Sequence, residues 1–212
     1  PLEVLYEITR DVDGWLSWAE GVLLWHLARS GSGRGVVVEI GSWKGKSTIW
    51  LAWSSKSIRR EKIVAIDPHT GSNETQRIYG KTWTYDEFLQ NLRLAGVIDW
   101  VTPVVSTSRE VAQGWTGDLR LVFVDGSHKY EDIRDDFCLW FGLLGRDGII
   151  ALHDSYFSWV GPTRVVEQFL LRNPFATHVG FVGTTTFCQK SKPSPFHHTR
   201  NEFLALAFQV LR

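Results

Sequence analysis

Glu39-Ile40-Gly41-Ser42-Trp43-Lys44-Gly45-Lys46-Ser47-Thr48 decides how this chain is read. The apolar run Gly35-Val36-Val37-Val38 leads into it, and a segment patterned as a helix, Ser47 to Lys56, follows. Glycines between a buried strand and a helix let a ligand approach the backbone, and the helix N-terminus offers free N–H groups. Three templates compete for such a turn. G-x-G-x-x-G fails, because Trp43 and Lys46 stand at its second and third glycine positions. G-x-x-x-x-G-K-[ST] is matched at its end by Gly45-Lys46-Ser47, but Gly41 stands one residue too close. The run Leu121-Val122-Phe123-Val124-Asp125 would pass as the second motif of a nucleotide hydrolase, so that rival stays open. E-x-G-x-x-x-G is met in full by Glu39, Gly41 and Gly45.

Outward from this turn, short apolar runs alternate with amphipathic segments. Further strands are predicted at Lys62 to Asp67, Trp100 to Val105, Leu119 to Asp125 and Gly148 to His153. Helices are predicted at Tyr85 to Leu94, Ser108 to Gln113, Tyr130 to Leu144 and Arg164 to Leu171, with a turn at Gly145-Arg146-Asp147. His178 to Val182 and Thr184 to Gln189 read as a closing, antiparallel strand pair. This alternation predicts an α/β fold: a mostly parallel, Rossmann-like sheet with helices on both faces and ligands at the strands' carboxyl ends. Trp15 to Ala28 reads as a helix packed on the sheet or on a partner subunit. Lys190 to Arg200, with His197 and His198, reads as a solvated linker before a helix at Glu202 to Leu211. The expected organisation is one domain over 1–190, then linker and helix over 191–212.

Composition excludes several classes. Lys plus Arg and Asp plus Glu both number 23, so no basic excess supports global binding to nucleic acid or acidic lipid. With 43% hydrophobic residues and no net charge the chain is not intrinsically disordered in bulk. No apolar run is long enough to span a membrane, and Pro1-Leu2-Glu3-Val4 lacks the features of a signal peptide. Cys138 and Cys188 cannot form a disulfide framework; both thiols are expected to be buried in a reduced, cytoplasmic setting. The chain has 11 Trp and no Met, so it reads as less than a complete translation product.

The turn resembles motif I of the class I S-adenosylmethionine (SAM)-dependent methyltransferases. That resemblance implies SAM as cofactor, approached through Gly41, Ser42 and Gly45, with Glu39 and Ser47 in the same motif. Asp67, at the end of the next strand, then accepts hydrogen bonds from ribose hydroxyls. Ser106, Thr107 and Ser108 follow the third strand, where this family contacts adenine, though Ser and Thr at a helix start also serve as N-caps. Asp125-Gly126-Ser127-His128-Lys129-Tyr130 and the later His153-Asp154 resemble the bacterial macrocin O-methyltransferase and cephalosporin-hydroxylase-like group, with its D-G-x-H-x-Y and H-D pattern. The resemblance spans roughly residues 15 to 185.

Its implied chemistry is methyl transfer to a hydroxyl on a sugar or glycosylated small molecule. Catalysis then rests on a base and on in-line positioning. Set against the catechol methyltransferases, Asp125 takes the place of the first metal carboxylate, His153-Asp154 that of the Asp-Asn pair, and His128 that of the base. Mg²⁺ prefers oxygen ligands whereas imidazole suits other divalent ions, so the metal could be Mg²⁺ or another cation, or the site metal-free with His153 as a second acid/base. Trp43, Tyr79, Trp83, Tyr85, Tyr156, Phe157 and Trp159 are candidates for rings at the mouth, and His69 to Thr84 for a lid. A homodimer through the terminal helices is a further expectation. Besides the nucleotide hydrolase, a non-catalytic SAM-binding module is a rival, against which the joint presence of His128 and His153-Asp154 counts; a third is transfer to nitrogen or nucleic acid, the latter opposed by the neutral charge and the lack of an N/D-P-P-Y-type motif after the fourth strand.

Overall fold

Seven strands pair into one sheet in the computed structural model, which describes residues 2–30 and 33–211. They are Val36–Ile40 (β1), Ile63–Ile66 (β2), Val101–Val104 (β3), Leu119–Val124 (β4), Leu144–Leu152 (β5), Ala176–Val182 (β6) and Thr185–Lys190 (β7). The order is β3-β2-β1-β4-β5-β7-β6. The first five strands pair parallel, and β7 then β6 add antiparallel. The expected α/β sheet and its antiparallel close are both present.

Helices cover both faces: Leu2–Thr9 (α1), Trp18–Ser30 (α2), Lys46–Ser57 (α3), Asn73–Tyr79 (α4), Tyr85–Leu94 (α5), Ser108–Gln113 (α6), Tyr130–Leu143 (α7), Val160–Val165 (α8) and Pro195–Leu211 (α9). Alternation along the strands sorts the core. Val37, Leu121 and Phe123 bury against Trp50 of α3 and Phe88 of α5. Their neighbours Val38, Val122 and Val124 face the other way, toward Phe137 and Trp140 of α7. Each such side chain contributes roughly 1.5–3 kcal/mol by leaving water.

Chain direction positions the site. The chain lays β2 and β3 on one side of β1, then returns to place β4 on the other. This reversal opens a crevice at the carboxyl ends of β1 and β4. The two ends approach closely at Gly41: φ is +81°, and a Cβ there would lie 2.2 Å from the Asp125 carbonyl oxygen. Glycine is therefore demanded by the neighbouring strand end.

Several boundaries differ from the sequence reading. α1 carries too short a pattern to stand out. α2 starts at Trp18, leaving Trp15 outside it. The expected turn Gly145-Arg146-Asp147 lies inside β5, where pairing slips from Leu119↔Leu144 to Leu121↔Ile149. Asp147 takes φ +62°, so the turn residues make a bulge instead of ending the strand. The helix expected from Arg164 begins at Val160 and passes into a π-helical turn at Val166–Leu170. α9 begins at Pro195, a residue suited to a helix's first turn, so His197 and His198 lie on a helix and not in a linker. Cys188 is buried, but Cys138 on α7 is exposed, contrary to expectation. Among the described residues no helix is long and apolar enough to cross a membrane.

Candidate active site

The motif turn is held by a carboxylate. Asp67 Oδ2 accepts the N–H groups of Ser42 and Trp43, each at 2.8 Å, and Oδ1 accepts that of His69 at 2.6 Å. Asp67 thus fixes the turn and also lines the crevice beside it. Gly45 caps α3 in the left-handed region, φ +92°. Beneath the turn, Glu39 is wholly buried and accepts the Thr48 hydroxyl. Burial pushes its carboxyl up to about 8, with the hydroxyls of Ser47 and Thr48 pulling less strongly the other way.

The crevice opens into a cavity of about 740 Å³, within the range of small-ligand sites. Its lining includes Gly41, Ser42, Ser47 and Asp67 from the motif turn and the end of β2, Thr107 and Ser108 at the start of α6, and Asp125, His128, His153 and Asp154 beyond β4 and β5. Of the other motif residues, Glu39 is buried beneath the turn and Gly45 caps α3. Thr107 caps α6 in a reciprocal pair with Glu110, and Ser108 donates to Asp136. At the turn the buried Trp43 Nε1 has no partner among the described residues, a donor suited to a polar ligand. Lys46, which a phosphate loop would aim at its ligand, donates instead to the Gly14 carbonyl at 3.2 Å.

At the far end a chain of charges runs across the crevice. His153 Nδ1 lies 2.8 Å from Asp125 Oδ1 and 3.4 Å from Asp154 Oδ2. Its Nε2 lies 3.4 Å from Glu20 Oε1. Burial opposes protonation of His153, but Asp125, Glu20 and Asp154 outweigh it and raise the imidazole to about 11. Asp125 is itself pushed up by burial, against the pull of His153. Asp154 Oδ2 is 3.2 Å from His128 Nε2, and Asp154 Oδ1 accepts the Ser158 hydroxyl at 2.9 Å. The His128 ring stacks flat on Trp159, centroids 4.3 Å apart and planes 3° apart. Asp125, His153 and Asp154 each offer a ligand atom, all within 4.8 Å of one another. Two carboxylates and one imidazole are a donor set that fits a divalent cation.

Pattern reading missed two groups. Glu20 was read only as part of a packing helix, although Ser17-Trp18-Ala19-Glu20 is a capping-box signature. Asp132, Asp135 and Asp136 line the cavity from one face of α7, at i, i+3 and i+4 spacing. Burial, joined by the charges of Asp132 and Asp135, raises Asp136 to about 6, against the Ser108 hydrogen bond. The aromatic expectations divide. Trp43 and Trp159 line the cavity. Tyr79 meets Trp43 at 6.0 Å and the exposed Trp15 at 6.4 Å. Trp83 and Tyr85 pack around His69. Tyr156 and Phe157 turn away and pack on Phe181 and Phe208. The segment expected as a lid loop contains α4, and His69 Nδ1 bonds Thr84 Oγ1 across its base at 2.9 Å.

A crevice at the β1/β4 reversal with an acidic residue after β2 suits a nucleoside-containing cofactor, and the antiparallel β7 inserted between β5 and β6 agrees with the class I methyltransferase fold. The comparisons agree. A family described as a methyltransferase domain matches residues 38–155, more than half of the chain. The chain belongs to that family and is a SAM-dependent methyltransferase by class. Its fold is shared with the O-methyltransferase TomG from Streptomyces achromogenes, involved in tomaymycin synthesis and solved with SAM. That match has TM-score 0.62 and 20% identity, covering 90% of this chain and 89% of that one. The O-methyltransferase NovP matches with TM-score 0.66 and 16% identity, over 90% and 79%. The SAH-bound Podospora anserina methyltransferase PaMTH1 matches with TM-score 0.64 and 18% identity, over 90% and 87%.

Proposed function

We propose that this protein transfers the methyl group of SAM to a hydroxyl of a small-molecule acceptor, a sugar or glycosylated metabolite, with His128 as general base. The observation that carries this reading is the Asp154–His128–Trp159 arrangement. His128 Nε2 lies 3.2 Å from Asp154 Oδ2 and the Trp159 face clamps the ring, so the imidazole is held among the cavity-lining carboxylates Asp125 and Asp154. An imidazole so held can take up a hydroxyl proton near neutral pH.

SAM bound in the cavity would supply an electrophilic methyl on its sulfonium. The Ser42 and Trp43 backbone, ordered by Asp67, would hold one end of it, and Asp67 would meet the ribose. Thr107 and Ser108 would lie along the adenine. Asp125, His153 and Asp154 would hold a divalent cation, which would lower the acceptor hydroxyl's pKa. His128, which lines the cavity, takes the hydroxyl proton as the oxygen attacks. Trp43, Trp15 and Tyr79 offer ring faces on which a sugar can stack. The sugar class rests on the resemblance of Asp125 to Tyr130 and His153-Asp154 to the macrocin-type group. Support for oxygen as acceptor comes from that resemblance and from fold neighbours named as O-methyltransferases.

The test uses SAM labelled in its methyl group and a panel of hydroxylated sugars and glycosides, with wild type and His128→Ala. Label is expected on one hydroxyl class with wild type. The variant is expected to lose transfer while binding SAM with unchanged affinity. Retained turnover in His128→Ala removes His128 as base, and label on nitrogen alone removes the O-methyl reading.

A further inference from the structure

Glu20 is a buried acid that the proposed reaction does not use. It sits in the first turn of α2 and is 4% exposed. Its Oε2 accepts the Ser17 N–H at 3.0 Å and the Ser17 hydroxyl at 2.6 Å. Its Oε1 accepts the Thr184 N–H and hydroxyl, both at 2.8 Å, from the turn between β6 and β7. That turn is built around the carboxylate. Gly183 takes φ +59°, and a Cβ there would come within 2.8 Å of Glu20 Cδ. Burial works against the charge, but the bonds from His153 and Ser17 hold this carboxyl well below its ordinary range.

The same Oε1 faces the back of His153, 3.4 Å from Nε2. The other ring nitrogen, Nδ1, faces Asp125 and Asp154. A ligating histidine binds metal through one nitrogen, and the hydrogen bond made by the other decides which one. Most such histidines donate that second N–H to a carboxylate or carbonyl behind the ring.

We propose that Glu20 is a positioning residue that holds the Nε2–H of His153 and turns Nδ1 toward Asp125 and Asp154, so that these three take an imidazole-accepting divalent cation such as Zn²⁺ or Fe²⁺ in preference to Mg²⁺. The inference rests on the cation of the proposed function and adds its class and its fourth determinant. Glu20 suits the task because it is ordered before any ion arrives. Ser17 and Thr184 fix both its oxygens, so the ring behind which it stands has one orientation. Imidazole in place of a carboxylate shifts preference away from Mg²⁺, which demands oxygen ligands. The arrangement also ties the site to α2 and to the β6–β7 turn, so both ends of the fold meet at one histidine.

The experiment is calorimetric titration of the chelator-treated full chain with Zn²⁺ and, separately, Mg²⁺. Wild type, Glu20→Gln and His153→Gln are compared, with circular dichroism confirming the fold of each. Wild type is expected to bind Zn²⁺ more tightly than Mg²⁺, His153→Gln to lose that site, and Glu20→Gln to weaken Zn²⁺ by about 10–100-fold. Unchanged Zn²⁺ affinity in Glu20→Gln overturns the role of Glu20 and leaves the cation reading standing. No divalent binding by wild type, or Zn²⁺ binding untouched by His153→Gln, overturns the cation reading itself. If Glu20→Gln does not fold, ¹⁵N spectra of the Zn²⁺-loaded wild type decide. A protonated Nε2 and metal-shifted Nδ1 on His153 support the proposal, and the opposite assignment overturns it.

Discussion

Replacing Glu39 by Gln probes how the motif turn is supported. Glu39 is wholly buried in β1, and burial raises its carboxyl from 4.5 to about 8. The folded chain therefore holds this proton more tightly than the unfolded chain does. The group's contribution to stability is full below about pH 4.5 and is lost as pH rises through about 8. At pH 7 the unfolded carboxyl has gained about 2.5 pH units of ionisation that the folded one lacks, about 3 kcal/mol at 1.36 kcal/mol per unit. At pH 5 the same difference is below about 1 kcal/mol. Gln keeps the shape and cannot titrate. The stability of Glu39→Gln relative to wild type should therefore improve by roughly 2–3 kcal/mol between pH 5 and pH 7. Urea unfolding followed by tryptophan fluorescence at both pH values measures this. An equal difference at the two pH values would refute a neutral carboxyl beneath the turn.

Other expectations concern the site and its surroundings. Asp67→Asn leaves an N–H of Ser42, Trp43 or His69 with a poorer partner, at a cost of about 1–3 kcal/mol, so calorimetry should show weaker SAM binding and a scan a lower Tm. Trp159→Ala removes the face that holds His128, and kcat should fall about tenfold, or about 1.4 kcal/mol, with SAM affinity unchanged. Phe196 and Phe203 expose 73% and 69% of their surface on α9, so an equilibrium sedimentation run should find a dimer that Phe203→Glu converts to monomer. A monomeric wild type ends that last reading.

The parallel sheet was legible because β1, β2, β4 and the second half of β5 are nearly unbroken apolar runs. The antiparallel close was legible from its short β-branched and aromatic stretches on either side of Gly183. Elements set by local detail were not. Gly145-Arg146-Asp147 has turn chemistry, and only pairing to β4 shows that it becomes a bulge. α4 hides in a polar stretch whose start depends on a Ser72 cap. At the site, the resemblance of Asp125-Gly126-Ser127-His128-Lys129-Tyr130 and His153-Asp154 to the macrocin-type pattern led to the expected convergence of Asp125, His128, His153 and Asp154, which all follow adjacent strands. The same resemblance placed Glu39 in the cofactor motif, but a motif position does not reveal that the residue is wholly buried beneath the turn. Glu20 stayed hidden for the opposite reason. Its partners Thr184 and His153 are more than a hundred residues away, and its nearby Ser17 explains it fully as a helix cap.

The most direct test is a calorimetric titration of the full chain with SAM and, separately, with ATP, each with and without Mg²⁺. Saturable SAM binding with no heat from ATP is the result expected of a methyltransferase site at the β1 turn. ATP binding without SAM binding would contradict it and make Gly45-Lys46-Ser47 a variant phosphate loop.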